Sequence, residues 1–205
     1  MDKLILADCD GVFLHWEWSF DAWAARHGYK KVKEGRYEIS ECYGITSAKA
    51  DELTAMFHET VFAGNMPPLR DAIKYVKKLH EDHGCIFHII TSIGNQPEIV
   101  RARETNLFKV FGESPFHRIT CLDPELSKRV ELGQYRNSDL IWLEDSVSNF
   151  NLGQQLGLRS VLVDQHYNAA ANINQYFRLT YWKEFYERIT NGYYEDYWRH
   201  SRDGE

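Results

Sequence analysis

Two aspartates separated by a single residue, Asp8 and Asp10, close the first apolar run of the chain (Leu4-Ile5-Leu6-Ala7), and Gly11 follows at once. An apolar run without polar alternation reads as a strand of a parallel sheet, buried on both faces. The glycine lets the backbone turn sharply away from the strand end. In open α/β sheets the reactive groups lie beyond the carboxyl ends of the strands. Two carboxylates there are close enough to share a metal ion, and they suit a nucleophile and a general acid/base working side by side. Taken alone, the pair also fits an Asx-rich turn leaving a strand.

Three more groups follow in order. Cys85-Ile86-Phe87-His88-Ile89-Ile90 reads as a second strand and runs into Thr91-Ser92-Ile93-Gly94. Asn95 is expected to cap the next helix, with Pro97 in its first turn and an end near Glu104. A hydroxyl-bearing loop ahead of a helix N-terminus offers free N–H groups and a positive dipole end to phosphate. Ser127-Lys128-Arg129 supplies a cation in a helix expected to start at Asp123-Pro124. The strand Asp139-Leu140-Ile141-Trp142-Leu143 then ends in Glu144-Asp145-Ser146. Each piece has an ordinary reading as a turn hydroxyl, a solvated charge or a helix start. Their order is what chance does not readily produce.

That order resembles the haloacid dehalogenase-like phosphohydrolase superfamily over most of the chain. The four motifs of that family stand here as Asp8-Cys9-Asp10-Gly11-Val12, Thr91-Ser92, Lys128 and Glu144-Asp145-Ser146. The resemblance implies that Asp8 attacks phosphorus to form an aspartyl-phosphate, while Asp10 protonates the leaving oxygen and later activates water. Thr91 and the Ser92 amide are then expected to hold phosphoryl oxygens. Lys128, with Arg129 beside it, is expected to neutralise the charge between Asp8 and the phosphate. Asp8, the Asp10 carbonyl, Asp145 and Glu144 form the implied Mg²⁺ site. Magnesium prefers oxygen ligands and keeps several waters, so two or three carboxylates and a substrate phosphate make a reasonable set. The acid at Asp10 favours a phosphatase or phosphomutase, because family ATPases carry threonine there and dehalogenases lack this acid.

The chain of 205 residues suits one α/β core with a small insertion. Its formal charge of −6 argues against a nucleic-acid groove and leaves a small phosphorylated metabolite open as substrate. Four scattered cysteines form no C-x-x-C pair and read as reduced thiols in a cytoplasmic setting. The first strand starts at residue three and carries the acids, so no cleaved signal peptide is expected. No run is long enough to span a membrane.

The expected fold class is α/β: a Rossmann-like parallel sheet core with a small α-helical cap inserted after the first strand. The core is expected over 1–14 and 66–190, the cap over 15–65 and a tail over 191–205. Helices are expected from Trp16 to His27, from Ala48 to Phe62 behind Thr46-Ser47, and from Leu69 to His83 with Leu69, Ile73, Val76 and Leu79 on one face. Such a lid excludes water and selects substrate. Most cap aromatics read as the cap's own small core, with Phe13 and Trp16 the candidates for stacking on a nucleobase. The stretch Val163–Asn168 and the run Phe177–Phe185 also resemble the end of 5′(3′)-deoxyribonucleotidase-type proteins. A 5′-nucleotidase-like reading follows. Beside it stand a sugar-phosphate phosphatase or β-phosphoglucomutase-like mutase, which the Glu144-Asp145-Ser146 motif also resembles, and a catalytically idle binding protein of the same fold.

Overall fold

The apolar runs become β1 (Lys3–Ala7), β2 (Cys85–Ser92), β3 (Phe116–Leu122), β4 (Ile141–Glu144), β5 (Arg159–Val163) and the two-residue β6 (Arg178–Leu179). A computed structural model describes residues 3–194. The strands form one sheet in the order β3-β2-β1-β4-β5-β6, and every pairing is parallel. β1 sits in the middle, where the winding reverses, so its carboxyl end and that of β4 flank the crevice in which such sheets bind ligands. Side chains alternate between faces with period two. Ile5, Ala7, Leu143, Val161 and Val163 enter one apolar cluster, and Leu6, Ile90 and Trp142 enter the other. Helix α7 (Val147–Gln155) lies against β4 and β5, and Gly153 makes that approach possible: a Cβ there would meet Ser160 Oγ at 2.3 Å and Trp142 Cδ1 at 2.5 Å.

Between β1 and α4 (Ala72–His83) the chain folds into α1 (Trp16–Arg26), α2 (Ile39–Tyr43) and α3 (Ser47–His58). It leaves and returns side by side: Leu14 bridges Pro68, and the His15 amide donates to the Pro67 carbonyl at 2.8 Å. Phe20, Trp23 and Phe57 pack ring against ring at 5.4–5.7 Å between centroids, and their cluster is continuous with that of the sheet. Thr46 caps α3 by accepting from the Lys49 amide at 3.2 Å, so the expected start of this helix is observed. It stops at His58, four residues earlier than expected.

Other departures have local causes. In α4 the buried stripe is Ala72, Val76 and Leu79, while Ile73 is 48 % exposed, so Ile73 does not belong to the apolar face. Helix α5 (Pro97–Phe111) has Gln96, not Asn95, at its N-cap, since Pro97 with its preset φ takes the first helical position. It runs past Glu104 because no breaker intervenes before Gly112. Lys128 does not sit within a helix: it is the N-cap of the short α6 (Arg129–Gly133). β6 is too short to show any periodicity.

The last helix, α8 (Trp182–Thr190), is capped from a distance. Asp71, held at φ 59°, accepts the backbone N–H groups of Trp182 at 3.2 Å and Lys183 at 3.0 Å. The Trp182 indole N–H donates to the Val12 carbonyl at 2.9 Å. Most of the expected tail, 195–205, lies outside the described residues.

Candidate active site

The carboxyl ends of β1, β2 and β4 meet at a cavity of about 300 Å³ that the helices of the insertion cover. Asp8, Asp10, Thr91, Ser92, Lys128 and Asp145, widely separated in sequence, all line it. Glu144, fully buried next to Asp145, does not line it.

Lys128 is the hub of the floor. Its ammonium, 3 % exposed as a residue, stands 2.9 Å from Asp8 Oδ2 and 3.0 Å from Glu144 Oε2. Burial acts to pull its pKa down, yet the Asp8 and Glu144 carboxylates more than reverse this and raise it above the usual lysine value. Asp8 is fixed on its other oxygen, Oδ1, by the Cys9 amide at 2.7 Å. Glu144 is fully buried; its Oε1 accepts from the amides of Asp145 at 3.2 Å and Ser146 at 3.0 Å. Burial pushes the Glu144 pKa well up, against the pull of Lys128. Burial and the Asp8 charge lift Asp145 to about 6.

Gly11 explains how the first strand comes so close to the fourth. It adopts φ 70°, and a Cβ would fall 2.0 Å from Asp145 Oδ2 and 2.9 Å from the Tyr167 hydroxyl. Any larger residue would be strained at this φ and would force Asp145 and Tyr167 to shift.

Three contributors have no place in the motif order. Arg103, on α5, is 1 % exposed and forms an ion pair with Asp10 Oδ1. Burial lifts the Asp10 carboxyl above its ordinary pKa, while the guanidinium acts against that rise. Tyr167 donates its hydroxyl to Asp145 Oδ2. Asn168 donates to the Asp145 carbonyl at 2.8 Å and to the Val163 carbonyl at 2.9 Å. The turn bearing Tyr167 and Asn168 is braced by Arg178, which donates to Asp164 Oδ1 at 2.7 Å and to Asn168 Oδ1 at 2.9 Å. In sequence, Tyr167 and Asn168 were visible only as part of a tail pattern.

The two aromatic candidates part company. Phe13 is fully buried, its ring centroid 4.7–5.8 Å from those of Phe87, Phe111, Phe116 and Trp182. It does not line the cavity, and the expectation that it stacks on a base is corrected: the turn at Gly11 sends it into the core. Trp16 does line the cavity, stacked on Phe20 at 4.7 Å and edge-on to Phe57.

The donor set suits a hard divalent cation. Asp8, Glu144 and Asp145 each bring an oxygen within 4.8 Å of the others, and no sulfur or imidazole joins them. With Asp10 included, four carboxylates face the two cations Lys128 and Arg103, an excess of negative charge that Mg²⁺ would offset. A second acidic group, Glu17, Glu34 and His166, differs in kind, because Lys31 already reaches Glu17 at 2.5 Å, Asp21 at 2.8 Å and Glu34 at 3.5 Å.

No protein-family model matches the sequence, and no curated protein does. Solved structures do match. A haloacid dehalogenase-like family hydrolase from Streptococcus pneumoniae aligns with a TM-score of 0.58 at 12% identity, over 80% of this chain and 85% of its own. An L-2-haloacid dehalogenase aligns at 0.56 and 14%, over 92% and 100%. D,D-heptose 1,7-bisphosphate phosphatase from Burkholderia thailandensis aligns at 0.55 and 12%, over 92% and 99%. The chain has the haloacid dehalogenase-like fold. Its four cysteines are free thiols, and among the described residues no helix is long and apolar enough to cross a membrane.

Proposed function

We propose that the protein is a Mg²⁺-dependent phosphomonoesterase that hydrolyses a small phosphorylated metabolite through an aspartyl-phosphate on Asp8. The observation that carries this reading is the buried Asp8–Lys128–Glu144 array beside Asp145, with Asp10 two residues beyond Asp8 at the mouth of the same cavity.

Each residue then has a task. Asp8 attacks phosphorus, and Lys128 neutralises the charge that accumulates between its carboxylate and the phosphoryl oxygens. Thr91 and Ser92, at the end of β2, supply donors to those oxygens. Asp10 gives a proton to the leaving oxygen and takes one from water in the second step, with Arg103 holding its carboxyl in position. Asp8 and Asp145, with the Asp10 carbonyl, would hold Mg²⁺, which supplies charge stabilisation on the transferring phosphoryl group. Both oxygens of Glu144 are engaged by Lys128 and two amides, which supports a role one layer out, holding Lys128 and the loop. Tyr167 orients Asp145 in the same way.

Asp10 favours phosphoryl transfer over dehalogenation, since a halide leaving group needs no proton. For the leaving group, Trp16 and Tyr37 in the cavity wall support a nucleoside monophosphate, though the loss of Phe13 weakens that reading. The nucleotidase-like tail pattern has structural duties here, with Arg178 bracing a turn and Trp182 packing on Phe13. A sugar-phosphate phosphatase is the second reading, supported by the polar face that α3 turns to the cavity. A panel of phosphate esters assayed with Mg²⁺ and with EDTA tests the proposal. Phosphate release that needs Mg²⁺ supports it, and no release from any ester would sink it.

A further inference from the structure

This inference rests on the phosphomonoesterase reading and concerns the group attached to the phosphate. Asp51, Thr54 and His58 recur at three- and four-residue spacing on α3, so they share one face of the helix, and all three line the cavity. Leu53 and Phe57, on the neighbouring face, enter the core. His58 ends the row. It is 5 % exposed, yet its Nδ1 has no hydrogen-bond partner. A buried polar atom left unsatisfied costs about 1–3 kcal/mol. Nδ1 is itself closed off from solvent, so a turn of the ring that brings a nitrogen to the cavity and to a ligand hydroxyl would recover that cost. Burial and the Arg103 charge push the His58 pKa down to about 3. At neutral pH the ring is therefore an uncharged imidazole with one donor and one acceptor. That chemistry matches a hydroxyl, which also donates and accepts, better than it matches an anion.

The charges of the wall agree. Away from the floor the cavity is lined by Glu17, which Lys31 pairs at 2.5 Å, and by Glu38 and Asp51, against one arginine, Arg36, whose Nε stands 3.5 Å from Glu41. His15, also in the lining, is held toward its neutral form mainly by burial. A second phosphate or a carboxylate on the substrate would meet an excess of negative charge there, which is selection by repulsion. We infer that the Asp51–Thr54–His58 face reads the hydroxyl groups of an uncharged leaving alcohol, so that the substrate is a sugar or polyol carrying a single phosphate.

The test compares kcat/KM for a hexose 6-phosphate, the matching hexose bisphosphate, n-hexyl phosphate and p-nitrophenyl phosphate, in the wild type and in His58→Leu and His58→Gln. The wild type should prefer the hexose monophosphate over both hexyl phosphate and the bisphosphate by at least about tenfold. His58→Leu should remove most of the preference over hexyl phosphate. His58→Gln, which keeps a donor and an acceptor, should retain more of it. A wild type that treats hexyl and hexose phosphates alike, or that prefers the bisphosphate, overturns the inference. So does a His58→Leu variant that loses all substrates by one common factor, as a purely structural residue would. A wild type that hydrolyses none of the four overturns the phosphomonoesterase reading instead, and the p-nitrophenyl ester separates that failure from the first.

Discussion

The floor and the roof of the cavity are built on opposite principles. On the floor each charged group already has a partner: Asp8 and Glu144 with Lys128, Asp10 with Arg103, and Asp145 with Tyr167. In the roof, the buried His58 Nδ1 has none, and the acids outnumber the cations. A desolvated floor whose charges are paired, though Arg103 Nε is left without a hydrogen bond, keeps its geometry through the reaction, so little reorganisation is left to do when charge moves. An unsatisfied roof waits for a ligand. Chemistry and selectivity are thus assigned to different layers, and substitutions in the two should fail differently.

The largest effect should come from the floor. Asp8→Asn removes the proposed nucleophile and one metal ligand together. It should lower kcat/KM by about four decades or more while leaving the circular dichroism melt close to that of the wild type. Turnover comparable to the wild type would break the assignment of Asp8. Next in size, Phe13→Ala should cost about 3–5 kcal/mol of stability, since it opens a void among Phe87, Phe111, Phe116 and Trp182. Chemical denaturation measures it. A neutral result would mean that the ring is not packed as described.

Metal binding should show the charge excess directly. Asp145→Ala should raise the Mg²⁺ concentration needed for half-maximal activity by about tenfold or more. Its pKa of about 6, against an ordinary carboxylate value of 3.8, means that the folded chain binds this proton more tightly than the unfolded chain. Stability from this group is therefore fullest below the unfolded value and is lost as pH rises through about 6. A divalent cation restores what is lost and competes with the proton. Mg²⁺ should accordingly raise the melting temperature more near pH 7.5 than near pH 5. An equal rise at both would break the placement of the metal beside Asp145.

How much of this was legible in the sequence follows the same division. Asp8, Asp10, Thr91, Ser92, Lys128 and Asp145 stand at or just after strand ends or at a helix cap, where a short local pattern fixes position along the chain. Arg103 gave no such signal. Arg101 and Arg103 sit two apart on one helix and so point about 160° from each other, and only the packing of α5 decides which is buried. His58 was hidden for the same reason, as one polar residue on a helix of mixed composition. Phe13 and Trp16, three residues apart, went to the core and to the cavity because Phe13 lies in the tight turn that folds back on Cys9 while Trp16 opens α1, and a spacing pattern does not encode which way each then faces.

The finest test of the division is Trp16, which belongs to both layers. One face of its ring is covered by Phe20 and its edge is met by Phe57, so it is part of the insertion's own core, yet it also lines the cavity. If the packing role dominates, Trp16→Leu lowers the melting temperature and reduces kcat/KM for nucleoside and sugar monophosphates by one common factor. That outcome goes with the α3 row handling the leaving alcohol, since one face of the ring is already taken by Phe20. If a base stacks on the remaining face, the nucleotide alone should lose an additional 1–3 kcal/mol or so, the usual scale for base–aromatic stacking. Measured as the ratio of the two kcat/KM values, that second result would move the roof's selectivity from hydroxyl groups to the base and restore the nucleotidase reading.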